Sequence, residues 1–495
     1  MTKLADMNAA EKLEFFNATG AAMAGRSDAD KVAAGITAPD PVARAAIDIT
    51  YIKVPLRPAL AASAIGGGAS AEDIARRNDN ATLLLTAIAK AKAAIGLSNT
   101  NGRIQNRAVL LFEAGAFAFP NGFTALVDFS GLSLRGQGRR STHFLVQTSA
   151  AFLDFGAPVT SIPAGTVFDG AAQDWEITNL AIYNTSYLST SNHGSRFGSA
   201  IRDTGSGHGL IQNVRVGGFG YGVNLVCGSD FTRIDNLYVE LNDVGLYVGP
   251  GSQQILATNF DSYLNRENLV LDRPGDICFV KPIFNSAALN NVTIEAPAAR
   301  VTRQLSDFNP SGTFYDGNIA IVDAWYEGFA GGLGDATIPD YHNCISSAAT
   351  GEVYRYIKIV RPLVASGQNT VSGRATIAFV GKPDDGRLGA FDCEVSDANA
   401  KGYHIAWWAR AGNNNVLRNA RGSDNITKGS PNLRVLEDTP RAAQPTSGQY
   451  LAGTFIAAVM SAPVAGKVLL GWARLTTGTS HVAGTDWQAV YGSTA

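Results

Sequence analysis

The sequence predicts an all-β fold in which short parallel strands coil into a solenoid, and three observations carry that expectation. The stretch "IDNLYVELNDVGLYV" (234–248) is matched 23 residues earlier by "IQNVRVGGFGYGVNL" and 23 residues later by "ATNFDSYLNRENLVL". Apolar residues hold three columns at the same spacing: Val214, Leu237, Phe260 and Ile283; Val223, Leu246, Leu269 and Val292; Leu225, Val248, Leu271 and Ile294. Gly228-Ser229-Asp230 returns as Gly251-Ser252-Gln253 and nearly as Pro274-Gly275-Asp276. A fixed period of roughly 20–50 residues means stacked supersecondary units. These units are too short for helical repeats and lack a leucine-rich frame. They hold β-prone runs cut by Asn, Gly and Asp. A right-handed parallel β-helix remains, with 23 residues per rung in its regular part and a rise of about 4.8 Å per rung.

The chain has 495 residues, enough for a long core and two or three domains. Its 53 glycines suit a fold that turns every few residues. Only 17% of residues are charged and the net charge is −2, which gives no electrostatic case for nucleic acid or a membrane surface. No apolar run reaches the length of a membrane span, and "MTKLADMNAAEKLEFF" lacks a signal-peptide pattern. The chain reads as made in a cytoplasm. Cys227, Cys278, Cys344 and Cys393 are scattered singly, and the first two are expected as buried thiols. No zinc spacing, phosphate loop, Asp-rich calcium loop or Gly-x-Ser-x-Gly occurs, so neither metal nor cofactor is expected.

Residues 1–74 differ from the rest, being Ala-rich and Pro-broken with a linker "AIGGGAS" at 64–70. Asn80 is placed to cap a helix over "ATLLLTAIAKAKAAI", with Gly96 past its end. The β-helix is expected over 75–438. "AVLLFEAGAFAFPNG" and "GLSLRGQGRRSTHFLV" supply its first rungs, and "WEITNLAIYNT" (175–185) precedes the regular ones (209–297). "NIAIVDAWYEG" (318–328), "YIKIVRPLVA" (356–365), "AFDCEVSDANAKGYHIAW" (390–407) and "NNVLRNARGSDNITKG" (414–429) follow. Residues 439–495 form a small β-rich C-terminal domain with Trp472 and Trp487, entered through "TPRAAQPTSGQ".

Outward positions of neighbouring rungs form columns, and chemistry would sit there. The 23-residue register points Asn236, Tyr238 and Glu240 out of one rung, Asn259, Asp261 and Tyr263 out of the next, then Pro282, Phe284 and Ser286. Asp323, Trp325 and Glu327 take the same place further on if Glu327 aligns with Glu240. Aromatic rings stack on the apolar faces of sugars, so Tyr238, Tyr263, Phe284 and Trp325 are the candidate glycan contacts. A stripe of exposed aromatics is costly without a partner. Glycoside hydrolysis needs one protonated and one ionised carboxyl. Glu240 and Asp261 lie one rung and two residues apart, about 8 Å between Cα atoms, which suits an inverting pair. Glu240, beside Tyr238 and Tyr263, is the expected acid, and Asp261, nearer Asn236 and Asn259, the base. A set including Asp323 or Glu327 is the alternative, though those two are about 13 Å apart on one strand. The bland reading is that all four carboxylates merely solvate the surface.

Arg202, Arg215 and Lys281 could serve a β-elimination as base, or contact a sugar carboxylate. "GHG" (207–209) matches one motif of polygalacturonases without the others, so His208 reads as a loop residue, and Asp384-Asp385 sits in a Lys-Pro turn.

The order of parts resembles that of bacteriophage tailspikes with a pectin-lyase-like β-helix. Three stretches carry the resemblance. A helix followed by "LLFEAGAFAF" and "LSLRGQGRRST" is similar to that family's β-helix entry, with Glu113-Ala114-Gly115 in place of Pro-x-Gly. "DAWYEG" (323–328) is similar to a segment common in such coils. "GQYLAGTFIAAVMSAPVAGKVLLGWARLTTGTSHVAGTDWQAV" (448–490) looks like the terminal segment of several capsule-degrading tailspikes. The resemblance implies a homotrimer on a virion tail, an N-terminal region attached to the phage tail or baseplate, and bacterial surface polysaccharide (capsule, exopolysaccharide or O-antigen) as substrate. It does not fix the reaction. Hydrolysis, lyase chemistry on a uronic acid and non-catalytic receptor binding all remain open.

Overall fold

The computed structural model describes residues 48–59, 70–95, 106–155, 174–188, 196–205, 207–227, 229–249, 252–272, 275–287, 290–294, 314–315, 318–329, 343–345, 353–354, 357–364, 375–380, 394–396, 404–408, 415–418, 425–428, 433–436, 442–446, 455–459, 466–478 and 480–493. Through them the chain coils as a right-handed parallel β-helix. Leu210–Gly217 pairs with Arg233–Glu240 so that Val214 lies on Leu237, and Tyr221–Cys227 pairs with Val244–Val248 so that Val223 lies on Leu246. The later rungs continue the stack through Ile319–Val322, Ile357–Val360, Glu394–Ser396, Asn415–Arg418 and Leu433–Leu436.

Each regular rung has three faces, and the corners between them are fixed by left-handed backbone. Between the first and second faces stand Asn179, Asn213, Asn236 and Asn259, with φ of 58°, 52°, 55° and 52°. Asparagine tolerates this region better than most residues. Lys281, Asp323 and Arg361 continue the corner with φ of 52°, 55° and 49°. Hydrogen bonding is not lost there: Asn259 N donates to Val280 O (3.1 Å) and Lys281 N to Val322 O (2.9 Å). The ladder therefore runs round this corner, and both faces belong to one sheet of 19 strands among the described residues. The third face is an eight-stranded sheet.

The interior is apolar on all three faces. Val214, Leu237, Phe260, Val223, Leu246, Leu269, Val292, Leu225, Val248 and Leu271 are fully buried, as the sequence columns predict. The exception is Ile283, which is 39% exposed. The partner of Asp261 is Ile283, 22 residues on rather than 23, because the turn after Leu271 is one residue shorter. A slip of one residue moves every side chain to the other face. Phe284 and Pro282, expected outside, are buried, while Ile283 and Asn285 take the outward positions. The spacing returns to 23 at Asn290, beyond the left-handed Ser286.

At the corner between the second and third faces the core is polar. Asn242, Asn265 and Asn268 are fully buried. Asn265 Oδ1 accepts from the backbone N of Asn242 (2.8 Å) and from its Nδ2 (3.0 Å), and Asn242 Oδ1 accepts from Phe219 N (2.9 Å). Asn268 Nδ2 donates to Asn291 Oδ1 (2.5 Å). Backbone donors turned inward need such partners. Gly245 belongs to this corner because a Cβ there would lie 2.5 Å from Asn268 O.

The first rung differs from expectation in two ways. Asp48–Lys53 pairs with Asn106–Leu111, so the outermost strand of the large sheet comes from the segment read as separate. Residues 1–47, which make up most of that segment, lie outside the described residues. The helix runs Ala71–Ile95 and is capped by Ser70, whose Oγ accepts from Asp73 N (3.2 Å). Asn80 is instead buried mid-helix, where its Nδ2 donates to Arg57 O (3.0 Å) and Ala118 O (2.9 Å) and its Oδ1 accepts from Arg57 N (2.7 Å). A cap and a buried clamp use the same amide, and burial decides between them. Leu84, Ala87, Ile88 and Ala91 join the core of the first rungs.

Cys278 faces outward, half-buried, on the column of Leu256 and Ala320 rather than in the core. The side chains of Cys227 and Cys344, and Cys393 as a whole, lie outside the described residues. Phe455–Ala457, Lys467–Arg474 and Trp487–Ser493 form the antiparallel C-terminal sheet, with Trp472 and Trp487 buried. No described helix is long and apolar enough to cross a membrane.

Asn265→Ala removes the acceptor of a buried backbone N–H and should cost about 1–3 kcal/mol, lowering the melting temperature. Gln212→Ala, on the surface, should not. Equal melting of the two variants in thermal unfolding would mean that the buried amide ladder contributes nothing.

Candidate functional site

The second face presents two outward columns. One runs Ala181, Arg215, Tyr238, Asp261, Ile283, Trp325, Leu363, and the other Tyr183, Gly217, Glu240, Tyr263, Asn285, Glu327. Glu240 and Asp261 are diagonal neighbours in this register, so the predicted Cα separation of about 8 Å stands. Gly217 leaves room between Tyr183 and Glu240: a Cβ there would lie 3.2 Å from Tyr183 Cδ1 and 3.2 Å from Glu240 Cγ.

Arg215 is the centre of the cluster. Its Nε donates to Glu240 Oε1 (2.8 Å) and its Nη2 lies 2.6 Å from the same oxygen. The guanidinium stands over the Tyr238 ring at 4.7 Å and near the Tyr183 ring at 5.8 Å. Burial opposes its charge, but Glu240, Tyr183 and Tyr238 more than offset this, so its pKa is raised. Glu240 is the more enclosed partner, its side chain 12% exposed against 34% for Arg215. Burial pushes the Tyr238 hydroxyl up to about 12, helped by Glu240 and Asp261. Burial also raises Tyr183.

Asp261 is in a different state. It is half-buried, and its carboxyl makes no hydrogen bond or ion pair among the described residues. Burial raises its pKa, Glu240 adds to the shift, and Arg139 and Arg215 oppose it. The sequence register gives Glu240 two aromatic neighbours, but the chain also sets a guanidinium on it. The carboxyl with the raised pKa is Asp261. The hydroxyls of Tyr183, Tyr238 and Tyr263 likewise have no hydrogen-bond partner among the described residues.

The other predicted residues lie apart from this cluster. Asp323 is a corner residue clamped by Arg361 (Nε to Oδ1 2.6 Å, Nη2 to Oδ2 3.0 Å), and those bonds lower its pKa. The backbone of Glu327 pairs with Asn285, in the Glu240 column as expected, and its side chain lies outside the described residues. Trp325 is 43% exposed, two rungs from Asp261 in the same column. Phe284 is buried against Tyr326 and touches nothing outside. Arg202 is on the third face, paired with Asp154 (2.9 and 2.6 Å). Lys281 is at the corner. His208 lies in a turn, stacked on Phe231 at 4.8 Å, and Asp384-Asp385 lies outside the described residues.

Three residues of the cluster escaped the sequence reading. Tyr183 shares the Glu240 column, but an insertion puts it 34 residues before Gly217, off the repeat. His143 packs edge-on to it at 6.0 Å. Arg139 comes from the loop before Thr142–Val146 and donates from Nη1 to Asn236 Oδ1 (3.1 Å), 97 residues away. The repeat frame could have found Tyr183 once aligned across the insertion. Nothing local signals Arg139.

No protein-family model matches the sequence, and no curated protein matches it. Among solved structures the chain is similar to the catalytic domain of Agl-KA, with 10% identity, a TM-score of 0.44, and coverage of 73% of this chain and 63% of that one. It is similar to a tailspike protein of E. coli bacteriophage HK620, with 10% identity, a TM-score of 0.47, and coverage of 72% and 61%. It is also similar to an alginate lyase from Paenibacillus sp., with 10% identity, a TM-score of 0.37, and coverage of 72% and 95%. The chain thus spans less than two thirds of the first two proteins. Likeness at this level concerns the coil of the chain and assigns no side chain a role.

Because the folded-state pKa of Asp261 is raised, the folded protein holds that proton more tightly than the unfolded chain does. Its contribution to stability is present below the ordinary carboxylate range and is lost as pH rises through the raised value. Asp261→Asn should therefore melt at or above the wild-type temperature at neutral pH, with the difference shrinking in acid. A variant that melts well below wild type at neutral pH would contradict this.

Proposed function

We propose that the chain is a phage tailspike enzyme that binds bacterial surface polysaccharide and cleaves it inside the chain by inverting hydrolysis at the Asp261–Glu240 face. One observation carries this: a half-buried carboxyl with a raised pKa and no bonding partner among the described residues lies diagonal to a carboxylate held by a guanidinium. Asp261, protonated, gives its proton to the glycosidic oxygen as the bond from the anomeric carbon breaks. Glu240, fixed by Arg215, takes a proton from water, whose oxygen attacks the opposite side of that carbon. The products are a new reducing end and a free hydroxyl. Asp261 ends ionised beside Arg139 and Arg215, whose charges favour that form. Tyr183, Tyr238 and Tyr263 offer hydroxyls to the sugars, and Trp325 a stacking surface two rungs on.

β-Elimination at a uronic acid is the second reading, favoured by the stacking of Arg215 on Tyr238. A tyrosine pushed up to about 12 is a poor base at neutral pH. A non-catalytic receptor-binding spike is the third. Assembly as a homotrimer, with residues 1–74 holding it to the tail or baseplate, belongs to the same proposal.

Asp261→Asn should lower turnover by ~10²–10⁴-fold with glycan binding kept, and in the wild type activity should fall as pH rises through the raised Asp261 value. Reducing ends are assayed on capsular polysaccharide, with ultraviolet absorbance as the test for an unsaturated uronic acid. Full activity of Asp261→Asn sinks the assignment, absorbing products favour the lyase, and binding without product favours the receptor spike. In sedimentation the full chain should run as three copies; a stable single chain would refute the trimer.

A further inference from the structure

We infer that this cleft takes an acidic glycan, and that Arg139 is the residue that binds the carboxylate of the sugar at or next to the cleaved bond. The inference rests on the proposal that the Asp261–Glu240 face binds polysaccharide. Its basis is a count of charges. Two guanidiniums and two carboxyls share the face, and one of each is spent on the other: Arg215 meets Glu240 at 2.8 and 2.6 Å. Arg139 is not spent. Its one hydrogen bond is to the neutral Oδ1 of Asn236, and it forms no ion pair among the described residues. With Asp261 carrying its proton, as the reaction requires, the face has one positive charge left over.

That charge is held in place rather than trailing in solvent. Gly138 N donates to Asn179 O (2.9 Å), Gly136 N to Thr178 O (2.9 Å), and Gln137 N to Thr142 Oγ1 (3.0 Å). Gly136 is pressed so closely on the corner that a Cβ would lie 2.2 Å from Asn179 O. From this loop Arg139 reaches along the corner asparagines to Asn236, three rungs on. Asn236 is two residues from Tyr238, about 6.6 Å along the strand, and Tyr238 is directly opposite Asp261. A positioned guanidinium gives a carboxylate two parallel hydrogen bonds at little ordering cost. A neutral sugar laid over the same face would bury part of that charge with nothing opposite it. Sulfate or phosphate groups share the oxyanion chemistry; the fork of Arg139 beside a face of sugar-binding tyrosines is assigned here to a sugar carboxylate.

The test uses the full-length chain carrying Asp261→Asn, so that binding is read without cleavage. Alginate and polygalacturonate oligosaccharides, their carboxyl-reduced forms, sulfated dextran oligosaccharides and plain dextran oligosaccharides are titrated by calorimetry at low and high salt. The acidic uronate chains should bind. Their carboxyl-reduced and neutral counterparts should bind at least about tenfold more weakly. Adding Arg139→Gln should remove that preference and its salt dependence, and Arg139→Lys should restore part of it, with the melting temperature unchanged throughout. Equal affinity for reduced and unreduced chains, no binding of any uronate, a preference for sulfated dextran, or an undiminished preference in Arg139→Gln would each overturn the inference. Failure of the hydrolysis proposal shows differently, as wild-type cleavage products that are absent or that absorb in the ultraviolet, while uronate binding and its dependence on Arg139 persist.

Discussion

A chain that returns to its own line every rung must turn without losing register, and here the turns are made by single residues in left-handed backbone. In the rung from Arg233 to Gln254 these are Asn236, Leu241 and Gln254, each with φ of 55°. Such a conformation costs about 1–2 kcal/mol for most side chains. It is offset because the corner N–H still donates to the next rung, as Leu241 N does to Tyr263 O (3.2 Å). Stacking a strained corner on an identical one is what lets three flat faces form. With the corners fixed, each residue between them points in or out by alternation alone.

The consequence for function is geometric. Between the Asn236 and Leu241 corners only Tyr238 and Glu240 can face outward, and between Asn259 and Leu264 only Asp261 and Tyr263. Two carboxyls and two tyrosines are thereby set on a rigid lattice whose spacings are those of strand and ladder. A site built this way is precise without any loop having to close over it. The buried asparagines behind it serve the same end, since they satisfy the backbone of the next corner and keep the face from sliding.

Electrostatics then separates the two carboxyls. They are similar by position but unequal by neighbour: Glu240 has Arg215 against it, while Asp261 has burial and an unshared proton site. The inequality arises from Arg215 leaning toward Glu240 in the next rung, over the space that Gly217 leaves open.

The sequence by itself determined the coil, its regular rungs, the C-terminal sheet with Trp472 and Trp487, and the adjacency of Glu240 and Asp261. The coil, its rungs and that adjacency follow from periodicity, because a repeat in sequence becomes a stack in space; the C-terminal sheet was legible as a β-rich segment set off by a linker. Sequence alone misjudged Phe284, because one residue missing from a turn inverts a strand and the columns give no warning of it. It misjudged Asn80, because a cap and a buried clamp use the same side chain. It did not show that Asp261 would be the carboxyl with a raised pKa, because a pKa is set by burial and by whichever charges end up within reach. Arg215 reaches Glu240 diagonally on the neighbouring strand, and Arg139 reaches Asn236 from 97 residues away. Such contacts depend on side-chain direction and on insertions between rungs, which only the folded chain decides.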